Sequence, residues 1–202
     1  MPHNFLQIQN EYLQKVWLRQ PKVLEETLPA HHEGDCFRFQ AFGELCELYP
    51  QEIILGGKQL TGPEGILIAL YALHVQKEET QLHPLKSFKQ FPGGMGYQGA
   101  FVTNSEKILH PYVPTIQQHQ QELIDRFSGH FNSGARRCDF SFTLYPLPRA
   151  ALYYIFDLPD EEFPASVTCL FPSNATNFLP VAGLADIAEY TAKKIIELVM
   201  GK

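Results

Sequence analysis

A chain of 202 residues, 45% of them hydrophobic, is long enough to bury a core without disulfide or metal staples, and one domain over residues 1–202 is expected. Its net charge of −6 is dispersed, without a run of like charges, which excludes a basic nucleic-acid-binding arm and makes nucleic acid an unfavourable partner. No apolar stretch reaches the roughly 20 residues of a membrane helix. The N-terminus lacks a secretory pattern, and 4 scattered cysteines without a Cys-x-x-Cys pair fit a reducing compartment, so a cytoplasmic protein is expected.

Phe5, Ile8, Tyr12 and Val16 recur at helical spacing, with Leu13 and Trp17 widening the stripe. A helix is predicted there, ended at Pro21 or followed by a second short one toward Leu28, so residues 1–30 read as a helical segment ahead of a core over 35–200. From Cys36 the pattern changes: Phe37, Phe39 and Ala41 alternate with Arg38 and Gln40, the period of a half-buried strand. Thr61-Gly62-Pro63-Glu64 has capping-box spacing and predicts a helix whose body, Ile66 to Leu73, is apolar on nearly every side. That makes it the buried central helix. Residues 76–102 read as a long loop with one short strand at Lys86 to Phe91, of the kind that is usually functional. A second box, Thr103-Asn104-Ser105-Glu106, opens a short helix, and Pro114 begins another that carries Ile116, Leu123 and Phe127.

Residues 138–145 alternate apolar and polar, while 150–156 are apolar on both faces and belong at the centre of a sheet. Ala165 to Phe171 supplies a further strand, and Leu184, Ile187, Ala188, Ile195, Leu198 and Val199 form one face of a closing helix. Strands cluster instead of alternating with helices. The pattern predicts an α+β fold: a mainly antiparallel sheet with a buried central helix and the N- and C-terminal helices packed on it.

Three constellations invite chemistry. Gly94-Met95-Gly96-Tyr97-Gln98-Gly99 matches the dinucleotide pattern G-x-G-x-x-G, but no strand-to-helix turn of a parallel unit is predicted around it. It reads as a glycine-rich turn or lid whose backbone amides can meet a ligand. His31, His32, Glu33, Asp35 and Cys36 crowd one short run, yet neighbours on an extended chain face opposite ways, so a polar loop entering a strand is the better reading. Asp160-Glu161-Glu162 sits between Pro159 and Pro164, with Phe163 as an anchor. It is either a solvated corner or a carboxylate pair for acid–base work, with Arg149 as ion-pair partner or anion clamp.

Taken as an ordered set, several segments resemble a prokaryotic family, the one catalogued as domain of unknown function 3786. They are Phe88-Lys89-Gln90-Phe91-Pro92-Gly93-Gly94 with Tyr97 and Phe101, then Leu147-Pro148-Arg149, Asp160 to Ala165, Leu170-Phe171 and Phe178-Leu179-Pro180. The likeness covers roughly residues 35–200. Members occur alone or appended to iron–sulfur or corrinoid-protein-like modules, which implies an accessory role near corrinoid or one-carbon chemistry and a corrinoid or iron–sulfur partner. The resemblance brings no activity, no cofactor and no catalytic roles.

The leading expectation is a ligand-binding or accessory module whose ligand meets Gly93, Gly94, Gly96, Tyr97 and Phe101 together with Arg149, Asp160, Glu161 and Glu162. Such a shared site requires the segments to lie within about 20 Å of each other. The alternatives are a small enzyme with Glu161 or Glu162 as general base beside Arg149, and a protein-interaction or structural module, including a homo-oligomer, that exposes Tyr97 and Phe101.

Overall fold

The computed structural model describes residues 2–19, 21–133 and 138–201. Two helices open the chain, α1 (Pro2–Trp17) and α2 (Pro21–Thr27). They are followed by an antiparallel meander of β1 (His31–Glu33), β2 (Cys36–Ala41), β3 (Glu44–Leu48), β4 (Ile53–Leu55) and β5 (Lys58–Gln59). Three of its turns are two residues long, and in two of them both residues are left-handed. Phe42-Gly43 and Gly56-Gly57 all have positive φ, the geometry whose twist matches that of the flanking strands.

Helix α3 (Pro63–His74) starts where predicted, but Gly62 is the residue that precedes its first turn and no side chain caps it. Pro63 at the first helical position sets the boundary instead, and Thr61 stays exposed. As expected, α3 is the buried helix. Leu67, Ile68, Ala69, Tyr71 and Ala72 are covered, and it packs between α1 and α7 (Val181–Val199).

From Phe88 onward, the segment read as a long loop is mostly helical. After the short strand β6 (Leu85–Ser87), Gln90 Oε1 accepts the Ser87 N–H at 2.7 Å and opens a 3₁₀ turn, which ends the strand before Phe88. From Gly94 the chain winds through a second 3₁₀ turn, α4 (Gln98–Phe101), a π-helical turn at Val102–Glu106, a third 3₁₀ turn, α5 (Val113–Gln118) and α6 (Gln120–Arg126). Short turns of changing pitch leave no single hydrophobic period, so the sequence pattern is silent there.

The second sheet has the order β6-β10-β9-β8-β7, formed with β7 (His130–Phe131), β8 (Phe140–Leu147), β9 (Ala150–Asp157) and β10 (Ser166–Pro172), all antiparallel. The doubly apolar strand β9 is central, as its sequence predicts. The strands thus divide between two sheets, which are joined by the Phe42 N–H donating to the Pro146 carbonyl at 2.6 Å, and α3 is tied to the β8–β9 turn of the second by the Tyr71 hydroxyl donating to the Pro148 carbonyl. One buried cluster draws on both sheets and on α1, α3 and α7.

Candidate functional site

The glycine-rich segment forms a turn. Gly93 has φ +85°, and Gly94 is buried so tightly that a Cβ would overlap the Phe88 carbonyl oxygen. Gly96 and Gly99 face open space. Gly99 lies within α4. Phe101 is a core residue: its ring stacks on Phe88 at 4.5 Å between centroids and leans on Phe171 at 5.7 Å. Of this set only Tyr97, with its neighbour Met95, offers a large exposed side chain.

Arg149 occupies the β8–β9 turn with φ +64°. Its Nη1 donates to the carbonyls of Thr27 (2.8 Å) and Gln76 (3.0 Å), its Nη2 lies 3.7 Å from Glu79, and its own carbonyl accepts the Thr80 hydroxyl at 2.7 Å. The guanidinium therefore ties the end of α2 to the segment that follows α3. Asp160 belongs to the opposite end of β9. The eight residues of that strand, at about 3.3 Å each, set the two ends more than about 20 Å apart.

Asp160 Oδ1 accepts the N–H groups of Glu162 (2.8 Å) and Phe163 (2.7 Å), so this carboxylate closes its own turn. Glu161, Glu162 and Phe163 are exposed, and Phe163 does not anchor the turn in the core. Arg149 and the acidic turn thus stand at opposite ends of β9, farther apart than one compact pocket spans.

The run from His31 to Cys36 disperses in the same way. His32 stacks on Phe37 and meets Glu25 at 2.7 Å, Glu33 pairs with Arg38 at 2.6 Å, and Cys36 is buried.

A cleft forms elsewhere, between the first turn of α3, the β4–β5 hairpin and α7. Helix α7 carries Asp186, Glu189, Tyr190, Lys193, Lys194 and Glu197 at three- and four-residue spacing, which puts them on one face, away from its buried Leu184, Ile187, Ala188 and Ile195. Phe42, Leu55 and Leu60 supply an apolar wall, and Glu64 faces it from α3, enclosing about 340 Å³. A second hollow of about 210 Å³ adjoins, lined by Ile66, Leu67, Leu70, Asp186 and Glu189. Tyr190 lines both.

The charges of the cleft are unequally matched. Lys193 Nζ lies 2.6 Å from Glu189 and 5.5 Å above the Tyr190 ring, and Lys194 Nζ lies 2.6 Å from Glu44. Glu189 also accepts from the Asn104 amide at 3.1 Å. Among the described residues no cation pairs with Glu64 or Asp186. Burial raises the Tyr190 phenol above its usual range, reinforced by the carboxylates of Glu64, Asp186 and Glu189, so it stays a hydrogen-bond donor. Burial and the neighbouring Glu189 likewise raise the Asp186 carboxyl.

A second polar group lies inside the fold. Glu106, on the π-helical turn, accepts the backbone N–H of Cys169 at 2.9 Å. The fully buried Tyr154 and Cys169 pair across β9 and β10 beside it, and burial raises all three groups, so the thiol and the phenol are held neutral. None of the clefts described above reaches them.

The cleft on α7 was missed because a polar helix face normally reads as a solvated surface. Its one sequence signal is an aromatic residue, Tyr190, set inside a charged stripe. The family model described as Domain of unknown function (DUF3786) matches residues 20–194. No curated protein and no solved structure matches the chain.

Proposed function

The chain belongs to the family described as Domain of unknown function (DUF3786), and from that premise we propose that it is a ligand-binding accessory module whose ligand sits in the cleft at Tyr190. The observation that carries the reading is the position of Tyr190 at the junction of two hollows, with the unpaired carboxylates of Glu64 and Asp186 beside it and an apolar wall opposite. Convergent polar groups with shifted proton affinities on an apolar cleft are the usual marks of a small-molecule site. An ammonium head on a short aliphatic body suits this lining: the carboxylates match its charge, and Phe42, Leu55 and Leu60 cover its chain.

A hollow of about 340 Å³ is at the small end of the roughly 300–1,000 Å³ of drug-sized pockets and too small to enclose a corrinoid macrocycle. If the corrinoid or iron–sulfur context implied by the family applies here, that cofactor stays with a partner protein. In this reading the Gly93-Gly94 turn and Gly96 present Tyr97 outward, and that residue and the exposed Asp160–Glu162 turn serve as partner contacts. The enzyme reading built on Glu161 or Glu162 with Arg149 has less support, since β9 separates those groups and the carboxylates lie on an exposed turn.

Titrating the full chain with n-hexylammonium, 1-hexanol and hexanoate, which share a body and differ in the head, tests the reading. The ammonium is expected to bind at least about tenfold more tightly than the other two, since a charge-assisted hydrogen bond is the stronger kind. Glu64→Gln and Asp186→Asn should each weaken it. Equal binding of all three would remove the charge argument, and binding of none would remove the site.

A further inference from the structure

Among the described residues eight buried side-chain nitrogen or oxygen atoms lack a hydrogen-bond partner, and four of them are on α1: both ends of the Gln9 amide, Asn10 Oδ1 and Trp17 Nε1. Gln9 is fully buried, its Oε1 pressed against Gly65 of α3, where only a hydrogen fits. Leu13 and Val16 bury apolar surface on the same side and favour docking, while each unpartnered polar atom weakens it by its lost hydration.

The far end of the helix is fixed. Arg19 Nη1 donates to the carbonyls of Ala72 (2.9 Å) and Leu73 (3.0 Å) at the end of α3, and its Nη2 donates to Thr27 Oγ1 at 3.1 Å. Between this anchor and α1 stands Leu18, 83% exposed. The stretch matched by the family model begins at residue 20, so α1 lies outside the matched residues. A helix outside the family match, hinged at one exposed residue and seated with its amide unsatisfied, is built to leave as a unit.

We propose that α1 detaches from α3 about Leu18, and that the face it leaves is a docking surface for the α1 of a second copy. The occupant follows from the surface. The seat of Gln9 at Gly65 and the sockets of Leu13 and Val16 are shaped for this helix, and every copy carries both helix and seat. Reciprocal exchange keeps all of these contacts and closes as a two-fold dimer. Concentration then selects between the closed monomer and the exchanged dimer.

Native mass spectrometry and hydrogen exchange on the full chain decide this. A dimer should grow with concentration, and in the monomer α1 should exchange at least about 100-fold faster than α7, as a separately opening unit does. Leu13→Asp should abolish the dimer and expose α1 while leaving α7 protected. Gln9→Leu, which removes the unpaired amide, should slow α1 exchange by about tenfold. A chain that stays monomeric up to millimolar concentration, an α1 as protected as α7, or a dimer that survives Leu13→Asp would overturn the proposal. So would loss of the whole fold in Leu13→Asp, or an α1 in Gln9→Leu that exchanges no more slowly than before.

Discussion

Glu106 Oε1 accepts the backbone N–H of Cys169 at 2.9 Å, beside the point on β10 where pairing with β6 ends at Leu170. A carboxylate carried on a π-helical turn thus does for one residue what another strand would do for several. Without an acceptor, a buried N–H loses about 1–3 kcal/mol. Glu106→Ala should therefore lower the unfolding free energy by that amount, while Glu106→Gln, which keeps an acceptor, should lose less than half as much. Urea denaturation with an unchanged slope would measure both.

The same carboxyl gives stability a pH dependence of definite sign. Burial raises the Glu106 pKa above the ordinary 4.5, and the Cys169 N–H only partly opposes the shift. From pH 4.5 up to the native value the folded chain holds a proton that the unfolded chain has released, so stability falls as pH rises through that window and levels off above it. Asp186 is raised in the same direction and acts with the same sign, more weakly because it is exposed. The difference between wild type and Glu106→Gln isolates the Glu106 part: the variant should show a shallower decline, and parallel curves would refute the assignment.

Four glycines of one segment should respond in different ways. Alanine at Gly94 meets the Phe88 carbonyl and should destabilise by about 1–3 kcal/mol, as overpacking does. At Gly93 the φ of +85° adds a penalty of about 1–2 kcal/mol. Gly99 lies in α4 with free space around it, so alanine there should stabilise by roughly 0.5–1 kcal/mol. Gly96→Ala should be near neutral. Thermal denaturation of the four variants would give this order; equal losses would mean that the glycines share a role other than backbone geometry.

Where one period ruled a segment, the sequence was legible. The second half of the α1 stripe, the all-apolar α3, the doubly apolar β9 and the amphipathic α7 were each readable, because burial on a regular element repeats in the chain, whereas the exposed Phe5 and the buried Gln9 of α1 depart from it. The stretch from Phe88 to Tyr112 was not, since its turns change pitch every few residues and each stripe breaks before it repeats. The cleft at Tyr190 was illegible for a different reason. Arg149 and Asp160 are close in sequence and look like partners, but a strand between two residues separates them, whereas Glu64 and Tyr190 are 126 residues apart and share a cleft. Helix pairing, which no local pattern encodes, made that neighbourhood.

Arg149 offers the sharpest separation of structural from binding roles. Its Nη1 donates to the Thr27 and Gln76 carbonyls while its Nη2 lies 3.7 Å from Glu79, so the guanidinium reaches three groups from two nitrogens where a lysine ammonium has one. Its backbone meanwhile bears the strain of φ +64°. Replacement by glycine loses the hydrogen bonds, about 1–3 kcal/mol, but relieves that strain; replacement by alanine loses the bonds and keeps the strain, a further roughly 1–2 kcal/mol. Stability should therefore fall in the order arginine, glycine, alanine, with Arg149→Lys between arginine and glycine. Hexylammonium binding at the cleft should be unchanged in Arg149→Gly, because the residue does not line it. A variant that kept its stability but lost ligand would place Arg149 in a binding site instead.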